Sequence, residues 1–214
     1  MGGIIARIMA AETSPENLFA VSLMGLTRSD RVLEVGFGHG RTVGHLAALV
    51  SEGWVAGIDP SQRMLKMATK YNRKSIADGR VELALGDCRK IPYPDASFDK
   101  VLAVHTIYFW DEPLKHLREL KRVMRPGARL VLGFRPLDNE VVSQFPAEVY
   151  RFYPVEEVAR LCIGAGLVDT HVDERRFGMR NMAFLRCQRP DVMNPGRGSV
   201  EGRSNDQGTA FLKA

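Results

Sequence analysis

The sequence predicts an α/β protein in which helices cover both faces of a doubly wound, mostly parallel β-sheet. Between residues 31 and 134, short apolar runs rich in β-branched residues alternate with longer segments of helical periodicity. Turns that contain glycine or proline separate these segments. The chain has 214 residues, of which 45% are apolar, and this suffices for one domain with its own core.

Two of the predicted helices begin at recognisable capping residues. Thr13 and Glu16 stand in capping-box spacing, so we expect a helix over residues 13–26. Ser61 is placed to accept a hydrogen bond from the first turn of the helix that follows it. Both helices carry apolar residues at the spacing that suits packing on a sheet.

The other elements complete the alternation of strands and helices. The predicted strands cover residues 31–35, 54–58, 81–85, 98–104 and 128–134, and two further helices cover residues 42–50 and 114–124. A turn at Pro126 and Gly127 is expected to lead into the fifth strand. The crossover connections of such a sheet are expected to be right-handed.

The pattern changes after residue 134. The segments that follow are an irregular stretch over residues 136–153, a helix over 155–165, and two strands over 167–174 and 181–187. These strands flank Phe177 and Gly178, so we expect them to pair in antiparallel orientation. From residue 190 onward glycine, proline and polar residues dominate, which predicts a flexible tail.

The charge of the chain is moderately basic. Thirty Lys and Arg residues face twenty-five Asp and Glu residues, which gives a net charge of +5. A basic surface attracts anionic ligands or nucleic acid. No aromatic signature of RNA binding accompanies the arginines, so a solvated basic face is the simpler interpretation and a nucleic-acid partner is not expected.

The three cysteines, Cys88, Cys162 and Cys187, are widely spaced and form no Cys-x-x-Cys motif. We therefore expect a reduced, cytoplasmic protein with no disulfide framework, and no metal site because the histidines show no paired spacing either. The apolar residues 1–10 are too few to span a bilayer, and no positively charged leader precedes them.

Three glycines follow the first predicted strand. Gly36, Gly38 and Gly40 lie where a parallel sheet presents its ligand crevice. Glycine tolerates positive φ and lets a ligand approach the backbone, and the next helix adds unpaired N–H groups. Arg41 stands where a dinucleotide fingerprint has its third glycine, which weakens an NAD interpretation. A tight turn without a ligand is the alternative.

Three acidic residues lie beside the same predicted edge. Glu34 precedes the glycines inside the first strand, where a buried carboxylate needs a partner such as a cationic amino group. Asp59 ends the second strand and is placed to accept hydrogen bonds from two ribose hydroxyls. Asp87 follows the third strand. A carboxylate that stabilises the dipole of the next helix is the alternative for Asp59, but polar groups at three successive strand ends are not explained by capping alone.

Several motifs, in this order along the chain, closely resemble those of class I S-adenosylmethionine-dependent methyltransferases. They are residues 32–40 (VLEVGFGHG), 57–61 (GIDPS), 86–88 (GDC), 91–101 (IPYPDASFDKV) and 125–128 (RPGA). The likeness covers residues 31–134 strongly and residues 153–187 more loosely. It is nearest to the small-molecule methyltransferases of the ubiquinone and menaquinone biosynthesis group.

This resemblance implies a Rossmann-like sheet of seven strands whose last strand is reversed, and S-adenosylmethionine as the cofactor, with S-adenosylhomocysteine as product. It implies that the three glycines and Glu34 surround the methionine part, and that Asp59 binds the ribose. Pro60 or Met64 would pack near adenine. Asp87 would hold the adenine amino group, with the backbone N–H of Cys88 nearby.

The resemblance also implies in-line methyl transfer to a small-molecule acceptor. The backbone of His105, at the end of the fourth strand, would meet the cofactor amino group, and its side chain is our candidate base, although it could equally be a wall residue. Tyr108 and Phe109 would line an apolar acceptor pocket, or pack the following loop on the sheet. Residues 105–108 (HTIY) differ from the tetrad of amino-methylating DNA enzymes.

Two alternatives stay open on the sequence: a Rossmann-type NAD(P)-dependent oxidoreductase, and a non-catalytic cofactor-binding protein with the methyltransferase fold. We expect one domain over residues 1–189. Its parts are an N-terminal helical cap (1–30), a cofactor-binding core (31–135), a substrate lid (136–153) and a C-terminal helix with a strand pair (154–189), before a flexible tail (190–214).

Overall fold

The computed structural model describes residues 14–138, 145–146 and 148–191. The helices are α1 (Ser14–Leu23), α2 (Arg41–Leu49), α3 (Gln62–Tyr71), α4 (Arg73–Ala77), α5 (Pro113–Val123) and α6 (Val155–Gly164), with a short 3₁₀ helix at Ile107–Phe109. The strands are β1 (Arg31–Val35), β2 (Trp54–Asp59), β3 (Val81–Leu85), β4 (Phe98–Val104), β5 (Met124–Phe134), β6 (Val168–Phe177) and β7 (Arg180–Gln188).

The seven strands form one sheet in the order β3-β2-β1-β4-β5-β7-β6. Strands β1 to β5 pair in parallel, whereas β7 runs antiparallel to both β5 and β6. The predicted fold class, a mostly parallel sheet with an antiparallel last strand, is confirmed. The strand order reverses between β1 and β4, and such a switch point opens a crevice at the carboxyl ends of the strands.

Apolar side chains fill both sides of the sheet. On one side α5 and α6 bury Leu117, Leu120 and Cys162 against strands β4, β5 and β7. On the other side Met24, directly after α1, and Leu46 of α2 pack with residues of β1, β2 and β5. A fully buried leucine of this kind contributes about 1.5–3 kcal/mol. The strand ends are therefore held by two packed layers.

The structure corrects the prediction at the start of β5. The strand begins at Met124, so Pro126 and Gly127 lie inside it rather than in a turn before it. Pairing with β4 is irregular here, because Phe98 pairs with Met124 whereas Lys100 pairs with Arg129. Gly127 adopts φ 73°, which absorbs the extra residues. The short helix α4 was also absent from the prediction.

Several expectations fall outside the described residues. These are the capping partner Thr13, residues 1–12 of the predicted N-terminal cap, residues 139–144 and 147 of the expected lid, and the tail from residue 192 onward. Within residues 14–138, 145–146 and 148–191, no helix has the length and apolarity needed to cross a membrane. The three cysteines are free and buried.

Candidate functional site

A cavity of about 470 Å³ opens at the carboxyl ends of β1, β2, β3 and β4. Its wall combines the glycine turn after β1, the first residues after β2 and β3, and the segment after β4. Helix α1 contributes Asn17 from the side. Nine of the residues predicted for the site line it: Gly36, Gly38, Asp59, Pro60, Met64, Asp87, Cys88, His105 and Phe109.

The glycine turn takes a conformation that favours glycine throughout. Gly36, Gly38 and Gly40 adopt φ of 74°, 52° and 75°. The Gly36 N–H donates to the carbonyl of Ile58 over 2.8 Å, which ties the turn to β2. Gly40 does not reach the cavity, since a Cβ there would lie 2.6 Å from the Cβ of Ala68. It serves instead to pack α2 closely against α3.

Asp59 connects the glycine turn to α3. Its Oδ2 accepts the Gly38 N–H and its Oδ1 accepts the Ser61 N–H, both over 2.9 Å. Burial raises the pKa of Asp59, and these two hydrogen bonds oppose the shift. Because a carboxylate has about four acceptor positions, both oxygens keep capacity for a second donor. The side chain is thus fixed at the cavity wall with acceptor positions to spare.

Glu34 lies behind the wall, 5% exposed. Burial, assisted by the charge of Asp59, raises its pKa to about 8, and a hydrogen bond with Thr42 acts in the opposite direction. Its Oε2 is buried and has no hydrogen-bond partner among the described residues. Leaving a buried acceptor unpaired costs free energy, and a hydrogen-bond donor on a bound ligand would remove that cost.

Asp87 has a different environment, since its side chain is 45% exposed. Its Oδ1 accepts the backbone N–H of Arg89 and its Oδ2 accepts from the Arg89 guanidinium, each over 2.8 Å. Partial burial would raise the pKa of Asp87, but the hydrogen bonds from Arg89 outweigh it and the pKa is lowered. The neighbouring Cys88 thiol is buried and its pKa is raised, so it is no nucleophile.

His105 is held on both sides at the end of β4. Its Nδ1 lies 3.1 Å from the Tyr108 hydroxyl and its Nε2 lies 2.6 Å from Oε2 of Glu16. The Tyr108 oxygen also accepts the backbone N–H of Arg135. Both ring nitrogens of His105 therefore have a partner in the protein.

The ring of Tyr108 is buried beneath His105 and is not part of the cavity wall, unlike the neighbouring Phe109, which is 51% exposed. His105 itself adopts φ 58°, a conformation that is uncommon for residues other than glycine. Glu16 is buried, and its Oε1 lies 3.1 Å from Nε of Arg180. A chain of polar contacts thus links α1, the end of β4 and the start of β7.

Sequence reasoning missed several residues of this site. Glu16 had been interpreted as a capping-box partner, whereas its carboxylate faces His105 and Arg180. Asn17 and Thr42 both line the cavity, and the Asn17 amide donates to the Thr42 hydroxyl over 2.9 Å. His116 of α5 also lines the cavity and stacks on Trp110 with ring centroids 5.3 Å apart.

The two cavity glycines allow a matched test. A Cβ on Gly36 would lie 2.4 Å from Cγ2 of Thr106, whereas a Cβ on Gly38 would meet nothing within 4 Å. Gly36→Ala should cost about 2–5 kcal/mol, from backbone strain plus overpacking, whereas Gly38→Ala should cost only the strain of about 1–2 kcal/mol. Urea unfolding measures both. Equal losses would show that the Thr106 contact yields freely.

The chain is similar to known methyltransferases. The family model described as a methyltransferase domain matches residues 33–132. The methyltransferase YdaC of Bacillus subtilis is 31% identical over 137 residues, which are 64% of this chain and 74% of that protein. The 27-O-demethylrifamycin SV methyltransferase of Amycolatopsis mediterranei is 34% identical over 111 residues, 52% of this chain but only 40% of that protein.

A solved structure agrees with the sequence relatives. The SAM-dependent methyltransferase of Aquifex aeolicus superposes with a TM-score of 0.67 and 27% identity, covering 80% of this chain and 88% of that chain. The region that matches the family model, residues 33–132, includes the carboxyl ends of β1, β2, β3 and β4.

Proposed function

The chain belongs to the S-adenosylmethionine-dependent methyltransferases, and on that premise we propose that it methylates a small-molecule acceptor by in-line displacement at the cavity. The observation that carries the proposal is the row of acidic residues at consecutive strand ends. Glu34 and Asp59 lie in the last two residues of β1 and β2, and Asp87 lies two residues after β3, in the order in which an amino acid, a ribose and an adenine are joined.

The residues present fit this cofactor. The unpartnered Oε2 of Glu34 suits the cationic amino group, and Asp59 has acceptor positions left for the ribose hydroxyls. Asp87 and the backbone of Cys88 suit the adenine edge, and Pro60 and Met64 give it apolar contacts. When bound, the cofactor supplies a methyl group on a positively charged sulfur, which needs no further activation. The protein's task is then to orient the acceptor and exclude water.

On the acceptor side we propose a molecule that carries a hydroxyl group. The half-exposed Phe109 offers it an apolar contact, and His105 is the group that would accept its proton. The Glu16 contact at Nε2 orients the ring, and the acceptor hydroxyl would replace the Tyr108 hydroxyl at Nδ1 to pass its proton to the imidazole. The rifamycin-modifying relative also acts on a small molecule, although the chain spans less than half of that protein.

His105→Gln should lower methyl transfer to a hydroxyl acceptor by about 10²–10⁴-fold, because general-base catalysis contributes on that scale. Glu16→Gln should lower the rate less, since the imidazole remains but loses the carboxyl group that contacts Nε2. The measurement is S-adenosylhomocysteine formation from S-adenosylmethionine with a panel of phenols and macrocyclic alcohols, across pH 5–9. Affinity for S-adenosylhomocysteine, measured by calorimetry, is the control and should change little.

If His105→Gln transfers methyl groups at the wild-type rate, His105 is only a wall residue. If the wild-type protein binds S-adenosylhomocysteine but transfers no methyl group to any acceptor, the non-catalytic interpretation gains. The oxidoreductase interpretation has no support from the relatives described above, and Arg41 at the third-glycine position argues against it.

A further inference from the structure

Helix α1 reaches the cofactor side of the cavity as well as the acceptor side. It lies before the region that matches the family model, and it places two consecutive polar side chains against the site. Glu16 turns toward His105, and Asn17 turns toward Thr42 of α2. The contacts of Asn17 have no part in the function proposed above.

The hydrogen bonds fix which way the Asn17 amide faces. Its Nδ2 donates to Oγ1 of Thr42 over 2.9 Å, and the Thr42 hydroxyl is in turn hydrogen-bonded to Glu34. When Glu34 is ionised, as beside a cationic group, a reversed amide would place its oxygen against a hydroxyl whose hydrogen Glu34 receives. Asn17, Thr42 and Glu34 therefore form one directed chain from α1 to β1.

Two acceptor atoms in this series of hydrogen-bonded side chains have no donor among the described residues. Oδ1 of Asn17 and Oε2 of Glu34 are both buried and have no hydrogen-bond partner among the described residues. They stand at the two ends of the same short chain, beside the glycine turn. Buried polar groups are nearly always paired in folded proteins, so these two oxygens suit a ligand group with several N–H donors. An alkylammonium group has three such donors.

We propose that Oδ1 of Asn17 accepts a hydrogen bond from the α-ammonium group of the cofactor's methionine part, as the partner of Glu34. The proposal rests on the function proposed above. It makes α1 a part of the cofactor site, so the amino-acid end of the cofactor and the docking of α1 stabilise each other. Recognition of the adenosine end does not involve Asn17.

Two ligands that differ in the amino-acid part test this assignment. S-adenosylhomocysteine carries the α-ammonium group, whereas 5′-methylthioadenosine has the same nucleoside and sulfur without it. Asn17→Ala in the full chain should weaken the affinity for S-adenosylhomocysteine about 10- to 150-fold, as expected for a hydrogen bond to a charged group. Its affinity for 5′-methylthioadenosine should stay within about twofold of wild type. Both dissociation constants are measured by calorimetry.

Ser22→Ala is the matched control, because Ser22 lies on the exposed side of the same helix and its hydroxyl donates to the Phe19 carbonyl over 2.6 Å. It should leave both affinities unchanged. If Asn17→Ala weakens both ligands equally, Asn17 shapes the cavity and does not recognise the ammonium group, and the assignment is wrong. An unchanged affinity for S-adenosylhomocysteine also overturns it. If wild-type protein binds neither ligand, the proposed function itself fails.

Discussion

Glu34→Gln should make the free protein more stable at neutral pH and, at the same time, weaken its affinity for S-adenosylhomocysteine. The pKa of Glu34 rises from 4.5 to about 8 on folding. Between these values the folded state binds a proton that the unfolded state has released, so Glu34 makes stability fall as pH rises from about 4.5 to about 8. Gln cannot ionise and lacks this dependence.

The size of the effect follows from the pKa difference. At about 1.4 kcal/mol for each pH unit above the unfolded value, the stability gained by Glu34→Gln reaches about 3 kcal/mol at pH 7 and falls below about 1 kcal/mol at pH 5. Urea unfolding at both pH values measures it. Glu52→Gln is the control, since Glu52 is exposed and pairs only loosely with Arg28 at 3.5 Å. A gain that is equal at both pH values contradicts the account.

Binding of S-adenosylhomocysteine should shift the ionisation of Glu34 in the opposite direction to folding. A cationic amino group beside Glu34 favours its charged form, so ligand binding should drive a proton off Glu34 at pH 7. The affinity of wild-type protein for S-adenosylhomocysteine should therefore rise with pH up to about 8, as the pKa of Glu34 implies. In Glu34→Gln this pH dependence should disappear. Calorimetry in two buffers of different ionisation enthalpy counts the released proton.

Asp59→Ala should abolish most of the cofactor affinity. Two hydrogen bonds from ribose hydroxyls to a charged acceptor are worth about 3–6 kcal/mol together, or about 10²- to 10⁴-fold in the dissociation constant. The variant also loses the acceptor of the Gly38 and Ser61 N–H groups, so the turn itself loosens. Calorimetry with S-adenosylhomocysteine measures the loss, and thermal melting followed by circular dichroism checks that the fold remains.

Asp78→Ala is the control for this variant, because Asp78 is exposed at the end of α4, away from the cavity wall. It should leave the affinity unchanged. An Asp59→Ala protein that melts normally and binds within tenfold of wild type would mean that the ribose lies elsewhere.

The central part of the fold was accessible from the sequence for a physical reason. Buried parallel strands are short, apolar and β-branched, and the bounds predicted for β1, β3 and β4 agree with the structure. The carboxyl ends of such strands lie at one edge of the sheet. Residues at these ends, such as Asp59 as the last residue of β2 and His105 directly after β4, could therefore be assigned to one cavity from the sequence.

The contributions of α1 could not be predicted in the same way. Glu16 meets a residue 89 positions later, and Asn17 meets one 25 positions later, and no local pattern encodes either contact. Glu16 also has the spacing of a capping residue, which conceals its role. The turn predicted at Pro126 and Gly127 was wrong for another reason: Pro-Gly is typical of turns, but here it forms an irregularity within β5.

The most direct test of the central claim is a crystal structure of the full chain with S-adenosylhomocysteine. We expect the ribose hydroxyls within hydrogen-bond distance of Asp59, the amino group beside Glu34, and the adenine edge at Asp87. A ligand bound in the cavity with its ribose away from Asp59, or bound outside the row of strand ends, would contradict it.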